Sequence, residues 1–153
     1  MYMKKILLLT FISSALFMSS CHEEEENATA SIPITSQLIG KGTISSHSMP
    51  QQNIAITSTT QWNNFLTTLD STYNVSGSFT ETNIDFNQYM LIVAFDQVYN
   101  NGGHSIDITA IDETAQSINV DIEKLLQGNT TSVITQPYHI VKIPKILKPV
   151  IFY

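Results

Sequence analysis

The sequence predicts a mainly β fold of the α+β type: an antiparallel β-sandwich or partly open barrel of about seven strands, with one amphipathic α-helix packed on it. Two observations lead to this prediction. Short segments in which apolar and polar residues alternate at period two recur along the chain, as they do in strands with one buried face. One segment, residues 58–69, instead repeats its apolar residues at helical spacing.

The first twenty residues have the layout of a secretory signal peptide. A pair of lysines precedes an apolar segment that is shorter than the ~20 residues a membrane-spanning helix needs. Residues 18–21 read Met-Ser-Ser-Cys, which resembles the lipobox of bacterial lipoproteins. We therefore expect residues 1–20 to be a signal peptide and Cys21 to be lipidated, which makes a lipid anchor the only contact with a membrane.

Residues 23–26 are four glutamates in a stretch of low hydrophobicity, so residues 21–36 are predicted to be an acidic, disordered tether. Acidic residues just after a lipidated cysteine resemble the surface-export signal of lipoproteins in one large group of Gram-negative bacteria. This resemblance implies an outer-membrane lipoprotein exposed at the cell surface, with the periplasmic face as the alternative. Residues 37–153 then form a single β-rich domain.

Composition excludes one class of partner. The chain carries thirteen acidic residues against seven lysines, for a net charge of −6, and it has no arginine. Binding to nucleic acid requires clustered basic side chains that displace counterions, so no nucleic-acid partner is expected. The single cysteine, Cys21, excludes an internal disulfide.

The first half of the domain contains two short strands, at residues 37–44 and 53–57, followed by the helix. Ser58 or Thr59 is expected to cap the helix. Ser58 and Gln61 have the spacing of a capping box, which marks the start of a helix. The apolar residues after it lie at i, i+3, i+4 and i+7 and share one face that should pack on a sheet; they are Trp62, Phe65, Leu66 and Leu69.

The second half is denser in strands. Residues 90–95 are all apolar, which predicts a central strand covered by the helix on one face and by other strands on the opposite face. Residues 100–107 contain a pair of glycines and are predicted to be a hairpin turn leading into a half-exposed strand, residues 105–110. This strand forms a second hairpin with residues 118–123.

The register of the second hairpin follows from its apolar pattern. Ile108 must pair with an even-numbered residue for the apolar faces to coincide, which requires an odd loop; residues 113–115 and 113–117 satisfy this condition, and the longer loop is favoured. Residues 126–136 are a long connection. The last two strands, residues 137–144 and 149–153, are rich in proline and lysine, as is typical of edge strands.

Residues 85–152 resemble the C-terminal domain of the PrcB family of protease-complex subunits. The segments that carry the resemblance are Gly-Gly-His-Ser-Ile-Asp-Ile from Gly102, Pro-Tyr-His-Ile-Val-Lys-Ile-Pro from Pro137, and Lys-Pro-Val-Ile-Phe from Lys148. The resemblance implies an exported protein that associates with and stabilises a surface serine-protease complex. His104 departs from the family pattern, in which an aromatic residue, usually Tyr, follows the glycine pair.

Residue patterns give little indication of catalysis. Gly103-His104-Ser105 begins like a nucleophile elbow, but Ile106 replaces the required glycine. The histidines lack metal-ligand spacing, His139 is expected at the surface, and the acidic residues are expected on exposed strand faces. We therefore expect a protein that is not an enzyme and has no metal or cofactor.

The expected function is binding of an exported protease or another protein partner, as a stabilising accessory subunit. The expected contact surface consists of the glycine turn, the adjacent loop of residues 126–136 and the edge strand beside it. The residues singled out in the turn and the strand are Asn100, Asn101, Gly102, Gly103, His104 and Tyr138. Two alternatives remain, namely a peptidase inhibitor that uses its glycine-bearing loops and a surface domain that binds glycan or peptide.

Overall fold

A computed structural model describes residues 30–45 and 49–153. Eight strands form two four-stranded sheets, and one α-helix and a short 3-10 helix, Ser76–Ser78, complete the described part of the chain. This architecture confirms the predicted mainly β sandwich with one helix. The strands are β1 (Ile32–Pro33), β2 (Gln37–Ile44), β3 (Gln52–Ile56), β4 (Tyr89–Phe95), β5 (Asp107–Glu113), β6 (Ile118–Glu123), β7 (Gln136–Pro144) and β8 (Val150–Phe152), and the helix α1 is Thr59–Leu69.

The helix begins and packs as its sequence predicts. The Ser58 side chain accepts a hydrogen bond from the Gln61 backbone N–H, which satisfies one of the free donors at the helix start. Trp62, Phe65 and Leu69 are buried. The Trp62 and Phe65 rings stack with centroids 5.4 Å apart, so the aromatic stripe forms the packing face of the helix.

The sheet with strand order β2-β7-β4-β3 lies in the middle of the molecule, and the sheet β1-β5-β6-β8 covers its other face. Alternate residues of β4 therefore enter two cores. Leu91, Val93 and Phe95 pack with the helix, while Met90 and Ile92 pack between the sheets. This confirms the prediction that residues 90–95 are buried on both faces.

The prediction that residues 100–107 form a hairpin turn is wrong. β4 pairs with β3 and β7, whereas β5 pairs with β1 and β6. The intervening residues therefore cross from one sheet to the other. The physical reason is burial: β4 is apolar on both faces and needs neighbours in the central sheet, while the alternating β5 suits a sheet with one exposed face.

The β5–β6 hairpin exists, but its loop has four residues, 114–117, instead of three or five. Ile108 does pair with Ile122, as the apolar pattern requires. The register shifts between Ile108 and Ala110, leaving Thr109 as a bulge. A bulge adds one residue to one strand, so it reconciles the even loop with the correct facing of the apolar residues.

The prediction that residues 137–144 form an edge strand is also wrong, because β7 lies between β2 and β4. Its prolines, Pro137 and Pro144, fall near the two ends of the strand, where a missing N–H disturbs the ladder least. β8 is an edge strand as predicted, and it pairs with β6 in the parallel direction.

The folded domain includes Ile32 and Pro33, so it begins before the predicted start at residue 37. β1 pairs with the end of β5, with Ile32 opposite Glu113, and the Ile34 N–H donates to the Ile111 carbonyl at 2.7 Å. The predicted signal peptide, Cys21 and the acidic stretch lie outside the described residues. Within the described residues, no helix is both long enough and apolar enough to cross a membrane.

Candidate partner-binding platform

Two long connections meet at one end of the sandwich. Residues 96–106 join β4 to β5, and residues 124–135 join β6 to β7. They run side by side, with antiparallel bridges from Tyr99 to Thr135 and from His104 to Gln127. We refer to these two connections together as the platform.

Backbone hydrogen bonds hold the platform together along its length. Gly102 N–H donates to the Thr131 carbonyl at 3.0 Å, and Asn129 N–H donates to the Gly102 carbonyl at 2.8 Å. Gly128 N–H donates to the Gly103 carbonyl at 3.0 Å. The glycine pair is therefore part of a hydrogen-bonded layer between two connections, although neither connection is a regular strand.

Positive φ angles explain two of the glycines. Gly103 has φ 77° and Gly128 has φ 97°, a region in which side chains are strained. A Cβ atom on Gly103 would lie 2.6 Å from Asn129 Nδ2. Gly102 has a different role, because it is buried and its missing Cβ leaves room for Val133.

His104 is used inside the platform. Its ring stacks on Tyr99, with centroids 3.6 Å apart and planes 8° from parallel. Its Nε2 atom lies 3.0 Å from Asn101 Oδ1, and Asn101 Nδ2 donates to the Asn129 carbonyl at 2.9 Å. Asn101 and His104 are half-buried, whereas Asn100 and Gly103 are exposed, so the last two present the more accessible part of the predicted contact surface.

Asp96 is a fully buried carboxylate at the base of the platform. It accepts hydrogen bonds from Lys124 Nζ at 2.7 Å, from the Tyr99 hydroxyl at 2.7 Å and from Gln97 N–H at 2.8 Å. Burial alone would raise the pKa of Asp96, but these three donors outweigh burial and hold the pKa below its ordinary value. Asp96 is therefore ionised and fully engaged in holding the platform.

Asp107 has a similar role at the start of β5. This buried carboxylate accepts hydrogen bonds from Lys41 and from the Ser105 hydroxyl. Burial raises its pKa, and the bonds from Lys41, Ser105 and Leu125 N–H lower it to a net value below normal. The prediction that the acidic residues lie on exposed strand faces is wrong for Asp96 and Asp107, because ion pairs allow both to be buried.

Ser105 precedes β5 instead of beginning a strand, and its hydroxyl is engaged on both sides. It donates to Asp107 and accepts a bond from Leu126 N–H at 3.0 Å. A serine nucleophile needs a neighbouring base that takes its proton. The partner of Ser105 is a carboxylate whose pKa is lowered, which makes it a weak base. The pair therefore serves to hold the two connections together.

His139 is buried, which contradicts its predicted surface position. Because β7 is an interior strand, this side chain points between the sheets, where Nδ1 accepts a hydrogen bond from Ile108 N–H at 2.9 Å. Burial, together with the nearby Lys41, lowers the pKa of His139 to about 4, although Asp107 acts in the opposite direction. The imidazole is neutral near pH 7.

Tyr138 is not part of the platform surface. Only 4% of it is exposed, and its ring packs in the helix-facing core against Phe95, with centroids 5.5 Å apart, and against Phe79, 6.0 Å apart. The prediction placed Tyr138 on an edge strand, and the interior position of β7 removes it from any partner contact in this conformation.

The platform displays aliphatic side chains, of which some lie in the expected 126–136 contact loop, but the sequence analysis named none of them individually. Leu125 and Leu126 are 60% and 58% exposed, and Ile134 is 51% exposed; Val98 and Val133 are 41% and 38% exposed. The sequence does contain an indication of this surface: the connection of residues 124–135 has four aliphatic residues but lacks strand periodicity. Residues 97–106 and 125–135 contain no Lys, Arg, Asp or Glu.

Residues 30–45 and 49–153 contain no group of three His, Cys, Asp or Glu side chains that could hold a metal ion. Comparison with known proteins gives no further assignment: no family model, no curated protein and no solved structure matches this chain.

Proposed function

We propose that this protein is a non-catalytic, lipid-anchored protein of the outer membrane or cell surface whose platform binds and stabilises an exported protease or another protein partner. The observation that carries this proposal is the exposure of five aliphatic side chains on a hydrogen-bonded platform: Val98, Leu125, Leu126, Val133 and Ile134.

Exposed apolar side chains are characteristic of protein-interaction sites, and these five lie on two connections that are hydrogen-bonded to each other. The hydrogen bonds between the two connections also matter, because a surface that is already ordered loses little conformational entropy on binding. Asp96 with Lys124, and Asp107 with Lys41, fix the base of this surface. The platform therefore has both the composition and the rigidity of a docking site.

The chemistry of the platform indicates the kind of partner surface. Its two connections carry amide, hydroxyl and aliphatic groups, and their two charged residues, Asp96 and Lys124, pair with each other. A complementary partner surface would be apolar at its centre and uncharged at its polar contacts, since an unpaired charge buried in an interface is unfavourable.

Two sequence features support the partner class and the location. The resemblance of residues 85–152 to the PrcB family favours a role in a protease complex, and the Cys21 motif favours lipid anchoring. The inhibitor alternative relies on a protruding glycine tip that enters a protease cleft. Gly102 is buried beneath Val133, which makes the glycine pair a poor candidate for such a tip.

The test is affinity capture of the full chain from detergent-solubilised outer membranes, combined with the half-life of the co-purified protease. We expect a Leu126→Glu/Ile134→Glu variant to lose the partner, and the protease to lose activity faster in cells that carry it. Leu38→Glu is the matched control, because Leu38 is 45% exposed and lies on β2, outside the platform. Equal recovery of the same partner by both variants would contradict the proposal.

The same preparation distinguishes the inhibitor alternative. Addition of purified protein to the captured protease should leave its initial rate unchanged and extend its lifetime. A decrease in initial rate that is lost in the Leu126→Glu/Ile134→Glu variant would indicate inhibition instead of stabilisation.

The location is tested separately with a Cys21→Ala variant and with protease treatment of intact cells. We expect the variant to leave the membrane fraction, and external protease to release the domain from wild-type cells. Protection of the domain in intact cells, with digestion after the outer membrane is opened, would place it on the periplasmic face.

A further inference from the structure

A groove of about 680 Å³ lies on the open side of the sandwich, between the edge strands β3 and β8. One wall is β3, and the other is the segment that leads from β7 into β8. Its apolar lining comes mainly from Met90, Ile146, Val150 and Phe152. The groove lies outside the platform, on the side of the molecule where β4 begins and β7 ends.

The backbone of β3 presents free hydrogen-bonding groups along this groove. In an antiparallel sheet, alternate residues direct their N–H and C=O groups to opposite neighbours. The bonds from Asp96 N–H to the Pro137 carbonyl and from Lys145 N–H to the Gln88 carbonyl show that even-numbered residues of β4 bond to β7. Odd-numbered residues of β4 therefore bond to β3.

In the β3–β4 register, Ile54 pairs with the odd-numbered Val93, so the backbone of Ile54 bonds to β4. The neighbouring residues Asn53 and Ala55 therefore direct their backbone N–H and C=O groups away from β4. Both residues line the groove. Within the described residues, no other segment donates to or accepts from these outward groups. An unpaired edge of this kind is a template for another strand.

The rim of the groove carries lysine side chains and one highly exposed leucine. Lys145 and Lys148 line it, and none of the described lining residues carries a carboxylate. Lys148 is paired with Glu113. Lys145 Nζ donates to the neutral Phe86 carbonyl at 2.7 Å, and its charge also helps to lower the pKa of the exposed Asp85 carboxyl. Between the two lysines, Leu147 is 91% exposed. The rim therefore combines a cation with an apolar side chain that has little contact with its own domain.

We propose that this groove binds an extended, carboxylate-bearing peptide segment of a partner protein, which adds to β3 as a fifth strand. The backbone groups of Asn53 and Ala55 form the ladder, apolar side chains of the peptide fill the groove, and an acidic side chain faces Lys145. Strand addition of this kind derives its affinity from main-chain hydrogen bonds and its specificity from alternate side chains.

The chain's own N-terminal segment is a poorer occupant. It joins the domain at β1. β1 and β8 are the two opposite edges of the same sheet, so this segment enters far from the groove. A second copy of the chain is the remaining alternative, and sedimentation of the free protein tests it: a dimer that dissociates when Leu147 is changed, and that does not bind peptide, would overturn the proposal.

The test uses the full chain in detergent micelles and a fluorescein-labelled hexapeptide of alternating valine and glutamate, with fluorescence anisotropy as the readout. We expect saturable binding to the wild-type protein and at least about tenfold weaker binding to Leu147→Glu, which removes an apolar contact and adds repulsion. Leu126→Glu is the matched control, because Leu126 is also exposed but lies on the platform; its affinity should be unchanged.

Two further peptides test the binding mode. A valine–lysine hexapeptide should bind at least about tenfold more weakly, because its charge matches that of Lys145. A valine–glutamate peptide methylated on alternate backbone nitrogens should also lose binding, because it cannot form the ladder. Absence of saturable binding, equal binding of either control peptide, or full affinity in Leu147→Glu would overturn the proposal.

Discussion

The single residue with the most unusual environment is His139, which links the two sheets through one hydrogen bond. Its Nδ1 atom accepts from Ile108 N–H at 2.9 Å, next to the bulge at Thr109. A neutral imidazole can accept this bond, and an imidazolium cannot. The connection between the sheets at this point therefore depends on the protonation state of His139.

We expect the free energy of unfolding to fall as pH is lowered from about 6.5 to about 4. The pKa of His139 is about 4 in the folded protein and near its ordinary 6.5 in the unfolded chain, so in this window only the unfolded chain takes up the proton. Proton uptake by the unfolded state favours unfolding, by up to about 3 kcal/mol for this shift.

Denaturant unfolding of the wild-type protein and of His139→Gln, at pH 7 and at about pH 4.5, measures this effect. Glutamine retains an oxygen that can accept from Ile108 N–H but does not titrate. The variant should therefore lose less stability than the wild type between the two pH values. An identical loss in both proteins would exclude His139 as the titrating group.

Sequence reasoning succeeds at the residue scale where the environment is local. The burial of Trp62, Phe65 and Leu69 follows from helical spacing alone, and the structure confirms it. The positions of His139 and Tyr138 depend on whether β7 is an edge or an interior strand. That depends on pairing with β2 and β4, which are distant in the sequence, and local pattern does not determine it.

Among the elements, the crossover from β4 to β5 was the least predictable from sequence. Both flanking strands and the glycines between them match a hairpin locally. The outcome depends on which sheet each strand joins, and therefore on competition among distant strands. The bulge at Thr109 shows the same limit, because the local pattern of apolar residues predicts neither the bulge nor the even loop that it permits.

Substitution of Gly103 tests the described conformation of the crossover between β4 and β5. We expect Gly103→Ala to destabilise the protein by about 1 to 3 kcal/mol, because alanine is strained at φ 77° and its Cβ would press on Asn129. The control is Gly42→Ala in β2, where the nearest contact of a Cβ atom would be 3.5 Å, to the Tyr138 hydroxyl. Alanine is favoured over glycine in a strand interior.

Thermal and denaturant unfolding of both variants measures the difference. Gly42→Ala should be neutral or slightly stabilising, whereas Gly103→Ala should be destabilised and should also bind the platform partner more weakly. Similar stabilities for the two variants would argue against the described conformation of the crossover.

At the scale of the whole molecule, three polar links between described residues join the two sheets at the platform end. Lys41 of β2 pairs with Asp107 of β5, and Asp96 after β4 pairs with Lys124 after β6. His139 provides the third link. The rest of the space between the sheets is filled by apolar side chains, so this end is held by directional contacts that also position the platform.

We expect Lys124→Met to destabilise the protein by about 2 to 4 kcal/mol, because it leaves the Asp96 carboxylate buried without a counter-charge. Addition of Asp96→Asn should restore part of this loss. The control is Lys148→Met, which breaks a pair whose partners are about 30% exposed and should change stability by less than about 1 kcal/mol.

A double-mutant cycle in denaturant unfolding measures the coupling between Lys124 and Asp96. Additive effects of the two substitutions would show that the pair does not hold the platform end. A large effect of Lys148→Met, equal to that of Lys124→Met, would show that burial of the carboxylate is not the cause.

The pairing of β1 fixes the end of the domain at which the N-terminal segment enters. Ile32 lies opposite Glu113 and Pro33 opposite Asp112, so the chain joins the sandwich at the end of β5 that is farthest from the platform. Under the proposed anchoring at Cys21, eight residues separate Cys21 from Ala30, a reach of at most about 30 Å. The membrane would lie behind the domain, and the platform would point outward, toward partners that approach from the aqueous side.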